Sequence, residues 1–316
     1  MILSGYNKFI FSIFSENKEC LILTVFALKI GKGYLSFLQI QYTKTDSSGK
    51  PMPSFVFNTR LKVIDNSERD LIFSKGKIIF KDDAVKVEFA SDLVMIYLHY
   101  NWDQAGTSPL KVLAKENNEN NYLTWNSYDF RSFVKGNLIT PNTSAEFINA
   151  AGNIDLVKSK KIPSGVKGLL WSRLYNKDIS LAYSFIFNKK KKTDSKMFLL
   201  HEKNIVEFSD IDYHASKEKT SPKLSVKYPD NIQLNAKNEY YQVSVTIHNQ
   251  SEADTCELVN NFDFIGKLFN GFLRRLTGNP NGLRLLATAD VTITNNLVRT
   301  EFNGITSISE YVSFVK

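Results

Sequence analysis

Cysteine is scarce in this chain, whose 316 residues include only Cys20 and Cys256. The two lie far apart and form no C-x-x-C pair, and the four histidines are scattered. A disulfide framework or a structural zinc site needs several such residues at close spacing. The chain alone can build neither, so we predict no metal, expect no cofactor, and place the protein in a reducing compartment.

Long apolar runs are missing as well. The longest, Cys20 to Ile30, is interrupted by Thr24 and Lys29, and the segment Met1 to Lys8 has no basic stretch followed by an apolar core. A membrane-spanning helix needs about 20 consecutive apolar residues, and a secretion signal needs both of those segments. We therefore expect a cytoplasmic protein.

Proline and glycine, at 8 and 15 residues, are too few for a fibrous or linker-rich protein. The net charge of +8 would suit an anionic partner. Much of the excess, however, lies in short basic stretches at residues 158–161 and 189–192, and no nucleic-acid-binding motif accompanies it. We predict no nucleic-acid partner and leave peripheral contact with an anionic membrane open.

Apolar and polar residues alternate through many segments of about ten residues. In one segment Tyr241, Val243, Val245 and Ile247 alternate with polar residues, and in another Leu285, Ala287, Ala289, Val291 and Ile293 do so. This period places apolar side chains on one face of a strand. It is typical of antiparallel sheets with one buried face.

The strand pattern starts again after Pro141. Two sets of six to eight strands predict an all-β protein of two lipocalin-like antiparallel β-barrels in tandem, because closing a sheet removes its apolar edges. We place the N-terminal barrel at residues 1–140 and the C-terminal barrel at residues 141–316.

One segment of the C-terminal half has helical rather than strand periodicity. Its apolar residues are Leu258, Phe262, Ile265, Phe269, Phe272 and Leu276. This spacing predicts one amphipathic helix over about 257–276, ended by Gly278 and Pro280. We expect it to pack on a barrel, and its basic residues leave a membrane-surface role open.

Two groups of residues could carry chemistry. Asp210, Asp212 and His214 would share a strand face as a weak metal or acid/base site, although an exposed polar face explains them better. Trp171, Arg173 and Tyr175 would share another face, close in sequence to Asp155. They would form an inward-facing site, or Trp171 would be core and Arg173 its partly exposed neighbour.

The order of several short motifs is similar to a known family. The chain opens with Gly5-Tyr6-Asn7-Lys8-Phe9, continues with Gly152, Asp155, Pro163 and Trp171-Ser172-Arg173, and closes with Gly304 and Glu310-Tyr311. In this it resembles the lipocalin-like double-barrel proteins that include AttH, bacterial carotenoid 1,2-hydratase and the fungal Diels–Alderases. The chain departs from the family at residues 156–159, which read Leu-Val-Lys-Ser in place of His-Asn-Trp-Gly.

The resemblance implies that the protein acts on an apolar small molecule, such as a terpenoid, polyene or polyketide. We expect a cofactor-free cyclase, isomerase or hydro-lyase in which Asp155 is the acid, Trp171 and Tyr175 line the pocket and Arg173 anchors the substrate. The alternative is a non-catalytic carrier of a hydrophobic ligand, which docks at an anionic membrane. The missing His-Asn-Trp-Gly stretch favours the carrier. An Asp155 that merely caps an exposed turn would contradict the enzyme.

Overall fold

The computed structural model of the chain describes residues 5–15, 19–44, 55–67, 69–102, 110–114, 123–159, 166–188, 193–202, 204–222, 224, 226–257 and 280–314. All of the regular elements in these ranges are β-strands. The strands form two antiparallel sheets, one in each of two compact units. The all-β prediction is confirmed. The same ranges contain no helix of the length and apolarity that crossing a membrane requires.

The first unit holds a 12-stranded sheet in the order β4-β3-β2-β1-β12-β11-β9-β8-β7-β6-β5, with β10 paired to β11. Its strands are β1 (Tyr6–Phe14), β2 (Glu19–Ile30), β3 (Gly33–Lys44), β4 (Phe55–Leu61), β5 (Val63–Asn66), β6 (Asp70–Phe73), β7 (Gly76–Phe80), β8 (Ala84–Ala90), β9 (Met95–Trp102), β10 (Leu110–Ala114), β11 (Leu123–Ile139) and β12 (Ser144–Ser159).

The core of the first unit follows from the alternation of side chains along these strands. On β1, Phe9, Phe11 and Ile13 point into an apolar cluster, and Ile154 and Leu156 of β12 point into it from the neighbouring strand. The intervening residues of both strands therefore face the other side of the sheet. Asp155 belongs to that second face.

The second unit holds a nine-stranded sheet in the order β16-β15-β14-β13-β21-β20-β19-β18-β17. Of the two sheets, one forms a nearly closed barrel and the other a half-barrel. The strands of the second unit are β13 (Val166–Tyr175), β14 (Ile179–Asn188), β15 (Thr193–His201), β16 (Asn204–Phe208), β17 (Ile211–Thr220), β18 (Lys227–Lys237), β19 (Tyr241–Glu257), β20 (Pro280–Asn295) and β21 (Val298–Phe314).

The two clearest alternating segments in the sequence lie on neighbouring strands of this sheet. Val243, Val245 and Ile247 of β19 are buried in one apolar cluster with Ala289 and Val291 of β20. The register pairs Val245 with Val291, so the two apolar rows meet on the same face. The period-two pattern thus identified both strands and their buried sides correctly.

Two boundaries differ from the sequence expectation. The predicted division at 140/141 falls at the turn between β11 and β12, and β12 pairs with β1 and β11 of the first unit. Residues 141–159 therefore belong to that unit, because β12 is the strand that joins its first strand to β11. Glu257 is the last residue of β19, so no helix begins there, and residues 258–276 of the predicted helix lie outside the described residues.

Candidate functional site

Asp155 lies within β12 and is fully buried. The register places it opposite Ile10 of β1 and Ser127 of β11. Because Ile154 and Leu156 point into the apolar core, the Asp155 carboxyl lies on the face turned away from that core. It is not on an exposed turn, so the arrangement that would have contradicted a catalytic role is absent at this residue.

Asn153 shares this face of β12 and is also fully buried. Its side-chain Nδ2 donates a hydrogen bond of 2.9 Å to Oδ2 of Asp155. This bond orients the carboxyl group, because it holds Oδ2 of Asp155 next to the Asn153 amide nitrogen. Sequence reasoning missed Asn153. The available signal was its spacing of two residues from Asp155, which places both on one strand face.

Gly152 lets β12 come close to its neighbours just before these two residues. A Cβ added at Gly152 would lie 2.8 Å from the main-chain oxygen of Ser12 and 2.5 Å from Cγ2 of Val134. Both distances are shorter than van der Waals contact. Glycine is thus the residue that fits between β1 and β11 at this point.

Other polar side chains are buried on the same face of the first sheet. In register beyond Ile10 come Thr24 of β2 and Gln39 of β3, which are 0% and 2% exposed. Lys8 of β1 is buried nearby, with its Nζ 5.6 Å from the centre of the Phe26 ring. Burial of polar groups is costly unless they are hydrogen-bonded. This face therefore places polar side chains among buried apolar ones such as Ile10 and Phe26, unlike the apolar face behind it.

The three predicted binding residues, Trp171, Arg173 and Tyr175, lie together on β13. Leu170 and Leu174 point into the core of the second unit, so the three share the opposite face. All three are buried. The structure brings these residues together in the second unit and places Asp155 in the first.

A buried ion pair accompanies them. Glu310 of β21 is opposite Trp171 in the register and opposite Arg284 of β20 on its other side. Arg284 Nη2 lies 3.1 Å from Glu310 Oε2, and the two side chains are 0% and 1% exposed. Removing either partner would leave the other charge uncompensated in the interior. Sequence analysis did not find this pair, because it depends on the register of β20 against β21.

Hydroxyl groups occupy the inner face of the second sheet. Ser309 donates to Ser172 Oγ over 3.1 Å, and Ser172 donates to the main-chain oxygen of Ile308 over 2.8 Å. Tyr183 is opposite Ser172 in the register and fully buried. Burial raises the pKa of the Tyr183 phenol, and the neighbouring serine hydroxyls partly oppose that shift.

Two further phenols, those of Tyr213 and Tyr311, lie on the same inner face. The hydroxyls of Tyr213 and Tyr311 are 3.3 Å apart. Burial is the largest factor that raises the pKa of each. Both phenols therefore stay protonated at neutral pH and act as neutral hydrogen-bonding groups.

The weak metal candidate is explained by an exposed strand face. Asp212 and His214 lie on the edge strand β17, and both are exposed, as is Asp210 just before it. Across the described ranges no group of three or more histidine, cysteine or carboxylate side chains could hold a metal ion. The polar-face interpretation of these three residues is the one that the structure supports.

Comparison with known proteins gives the fold. No protein-family model matches the chain, and no curated protein matches it in sequence. Among solved structures, an AttH protein from Nitrosomonas europaea has a TM-score of 0.60 at 11% identity, over 99% of this chain and 93% of that one. Kievitone hydratase from Nectria haematococca has 0.59 at 8%, over 99% and 90%.

A third structure, CghA, has a TM-score of 0.62 at 7% identity, with 99% of this chain and 89% of that one covered. CghA was also solved with Sch210972, and that structure has a TM-score of 0.58 to this chain. The resemblance to AttH-like proteins is thus confirmed at the level of the fold.

Proposed function

We propose that this chain, which shares the AttH-like fold, is an enzyme that acts on an apolar small molecule without a cofactor. The reaction is an acid-assisted cyclisation, isomerisation or hydration of a terpenoid, polyene or polyketide-like substrate. The observation that carries the proposal is the position of Asp155. It is a fully buried carboxyl group on a regular strand, turned away from the apolar core and hydrogen-bonded by Asn153.

Burial of such a group has an energetic cost. Moving a carboxyl from water into the interior is unfavourable, and an apolar residue at position 155 would avoid that cost. Ionisable groups retained in the interior are candidates for function for this reason. Two proteins of the same fold are named as a hydratase and as a complex with a small molecule, Sch210972.

In the proposed reaction Asp155 transfers its proton to a carbon–carbon double bond of the substrate, which leaves a carbocation and a carboxylate. The cation is then captured by water or loses a neighbouring proton. In a cyclisation a second double bond first attacks it to close a ring, and the new cation that results ends in one of these two ways. In each case a proton released from the intermediate returns to Asp155. Aromatic side chains against the substrate stabilise the positive charge.

Deuterium incorporation tests the proposal. Native mass spectrometry of the purified protein would first identify any apolar molecule that co-purifies. That molecule, or a set of polyenes and terpenoids, is then incubated with the protein in D₂O. We expect a product with solvent-derived deuterium on carbon, since Asp155 exchanges its proton with solvent between turnovers. Asp155→Asn should abolish the labelled product, because it keeps the size of the side chain and removes the proton.

Asp212→Asn is the matched control, since Asp212 is an exposed carboxylate on β17. It should leave the label unchanged. Equal labelling by the wild type and Asp155→Asn would show that another group supplies the proton. The proposal that Asp155 is the catalytic acid would then be wrong.

A non-catalytic carrier is the second candidate, and one observation favours it. Where the family has histidine and tryptophan, this chain has Leu156 in the apolar core and Lys158 half-buried, with the pKa of Lys158 lowered by burial. A carrier would retain its ligand in both the wild type and Asp155→Asn, with no deuterium in either. Residues 160–161 and 189–192, which would contact a membrane, lie outside the described residues.

A further inference from the structure

We propose that Asn153 belongs to the same ligand site as Asp155 and that its side-chain oxygen accepts a hydrogen bond from the ligand. This inference rests on the proposed function and narrows its substrate class. The ligand is an apolar molecule that carries a hydroxyl or N–H group near the atom that Asp155 protonates. A pure hydrocarbon is excluded.

The hydrogen bond to Asp155 decides which way the Asn153 amide points. The amide nitrogen donates hydrogen bonds and the carboxyl oxygen accepts them, so in this contact the nitrogen faces Asp155. The observed contact, Nδ2 to Oδ2 at 2.9 Å, has this orientation. The amide oxygen, Oδ1, is therefore directed away from Asp155.

The Oδ1 atom is closed to solvent and has no hydrogen-bond partner among the described residues. A buried carbonyl oxygen without a hydrogen-bond partner is unfavourable, and native structures rarely contain one. An acceptor of this kind beside the candidate acid is suited to a donor that arrives with the ligand. A bound water is the competing explanation, and the test below separates the two.

The strand spacing limits where the ligand's donor can be. Residues two apart on a β-strand are separated by about 6.6 Å, so the donor lies within a few bonds of the atom that Asp155 protonates. Ile10 and Ser12 of β1 lie opposite Asp155 and Asn153, and Ile10 adds an apolar wall. Both side chains of the pair are buried, so the residues that cover them must move when a ligand binds.

A pair of probes that differ in one hydrogen-bond donor tests the inference. Isothermal titration calorimetry would compare 2-naphthol with 2-methoxynaphthalene on the wild-type protein. We expect the naphthol to bind about tenfold more tightly or better, because only its hydroxyl can donate to Oδ1. Equal affinity for the two probes, or binding of neither, would overturn the inference. A water bound to Oδ1 would give equal affinity.

Asn153→Leu should bring the two affinities to within about twofold of each other by weakening naphthol binding alone. Asn126→Leu is the matched control. Asn126 is a half-buried amide of β11 that donates to Thr124 two residues away and to the main chain of Leu156. Asn126→Leu should keep the wild-type preference for 2-naphthol over 2-methoxynaphthalene. A preference that survives in Asn153→Leu would overturn the inference, and if that variant does not fold, the wild-type comparison decides alone.

The outcome is distinguishable from that of the deuterium experiment. Deuterium labelling without a preference for naphthol would keep Asp155 as the acid and remove Asn153 from the site. A preference for 2-naphthol without deuterium labelling would keep Asn153 in the ligand site and would identify the protein as a non-catalytic carrier.

Discussion

Each of the two units buries a carboxylate at an equivalent place. In the first unit β12 pairs with the first strand, β1, and in the second unit β21 pairs with the first strand, β13. Asp155 lies four residues before the end of β12, and Glu310 lies four residues before the end of β21. Both face away from the core of their own unit. They differ in the groups beside them.

Glu310 faces a guanidinium across the strands, whereas the residue of β11 opposite Asp155 is Ser127. Asp155 accepts its hydrogen bond from an amide on its own strand. A carboxylate held by a guanidinium is kept ionised, and its charge is part of the fold. A carboxyl bonded to an amide can carry a proton or release it without losing that neighbour. The comparison therefore separates Glu310, which pairs with a guanidinium, from Asp155, the proposed acid.

The largest effect should come from breaking the ion pair of the second unit. Glu310→Gln keeps the shape of the side chain but leaves Arg284 charged and buried. We expect a loss of about 3–5 kcal/mol in the free energy of unfolding. Urea denaturation followed by circular dichroism would measure it. The double replacement Arg284→Met with Glu310→Leu should recover most of this loss, because it removes both charges of the pair.

Asp155→Asn in the same assay provides the comparison. Its amide oxygen can still accept the bond from Asn153, so we expect a loss of about 1 kcal/mol or less. Losses of equal size for Glu310→Gln and Asp155→Asn would mean that both carboxylates are structural. That result would remove the distinction on which the assignment of Asp155 depends.

A smaller effect on the free energy of unfolding should appear at high pH, and it should come from the inner face of the second sheet. The middle of β1 presents Phe9 and Phe11, whereas the middle of β13 presents Ser172 opposite Tyr183. The pKa of Tyr183 is raised in the folded protein, so its stabilising contribution is complete below about pH 10, where an unfolded tyrosine titrates, and falls as pH rises further. Tyr183→Phe should reduce the alkaline loss of stability, at a cost of about 1 kcal/mol near pH 7.

Measuring the free energy of unfolding of both proteins from pH 7 to about pH 11 would check this. Parallel curves for wild type and Tyr183→Phe would show that Tyr183 does not couple to folding through its proton.

The smallest effect should come from a carboxylate that is paired but exposed. Asp290 of β20 accepts hydrogen bonds from the main-chain N–H of Gly304 and from the His248 ring, which lower its pKa. Its contribution is present above about pH 4 and is lost as pH falls through the lowered pKa. Because 45% of the side chain is exposed, we expect Asp290→Asn to remove less than about 1 kcal/mol of acid-dependent stability. Acid-limb urea titrations of the two proteins should therefore differ only slightly.

Much of the strand content could be predicted, because a sheet with one buried face has a period of two in its own sequence. The rows of β19 and β20 are the clearest example, and the shared face of Trp171, Arg173 and Tyr175 follows from the same rule. The position of Asp155 on a strand was not predictable in this way. Its segment, Gly152-Asn153-Ile154-Asp155, is read equally well as a turn.

Long-range pairing accounts for what sequence reasoning missed. Nothing local indicates that β12 returns to pair with β1, so the division at 140/141 came too early. The Arg284–Glu310 pair likewise depends on the register of the β20–β21 hairpin, which brings together two residues 26 positions apart. The spacing of residues along a strand shows which side chains share a face. Only the pairing of strands shows which side chains contact each other.

The close approach of three strands at Gly152 bears on how divergent relatives can be aligned. Overall identity to the similar structures is 7–11%, which is too low for chemistry-bearing residues to be matched with confidence by sequence alone. A side chain at Gly152 would separate the strands in any protein that pairs them in this way. This glycine is thus a structural reference point from which the positions one and three residues later can be compared across proteins of this fold.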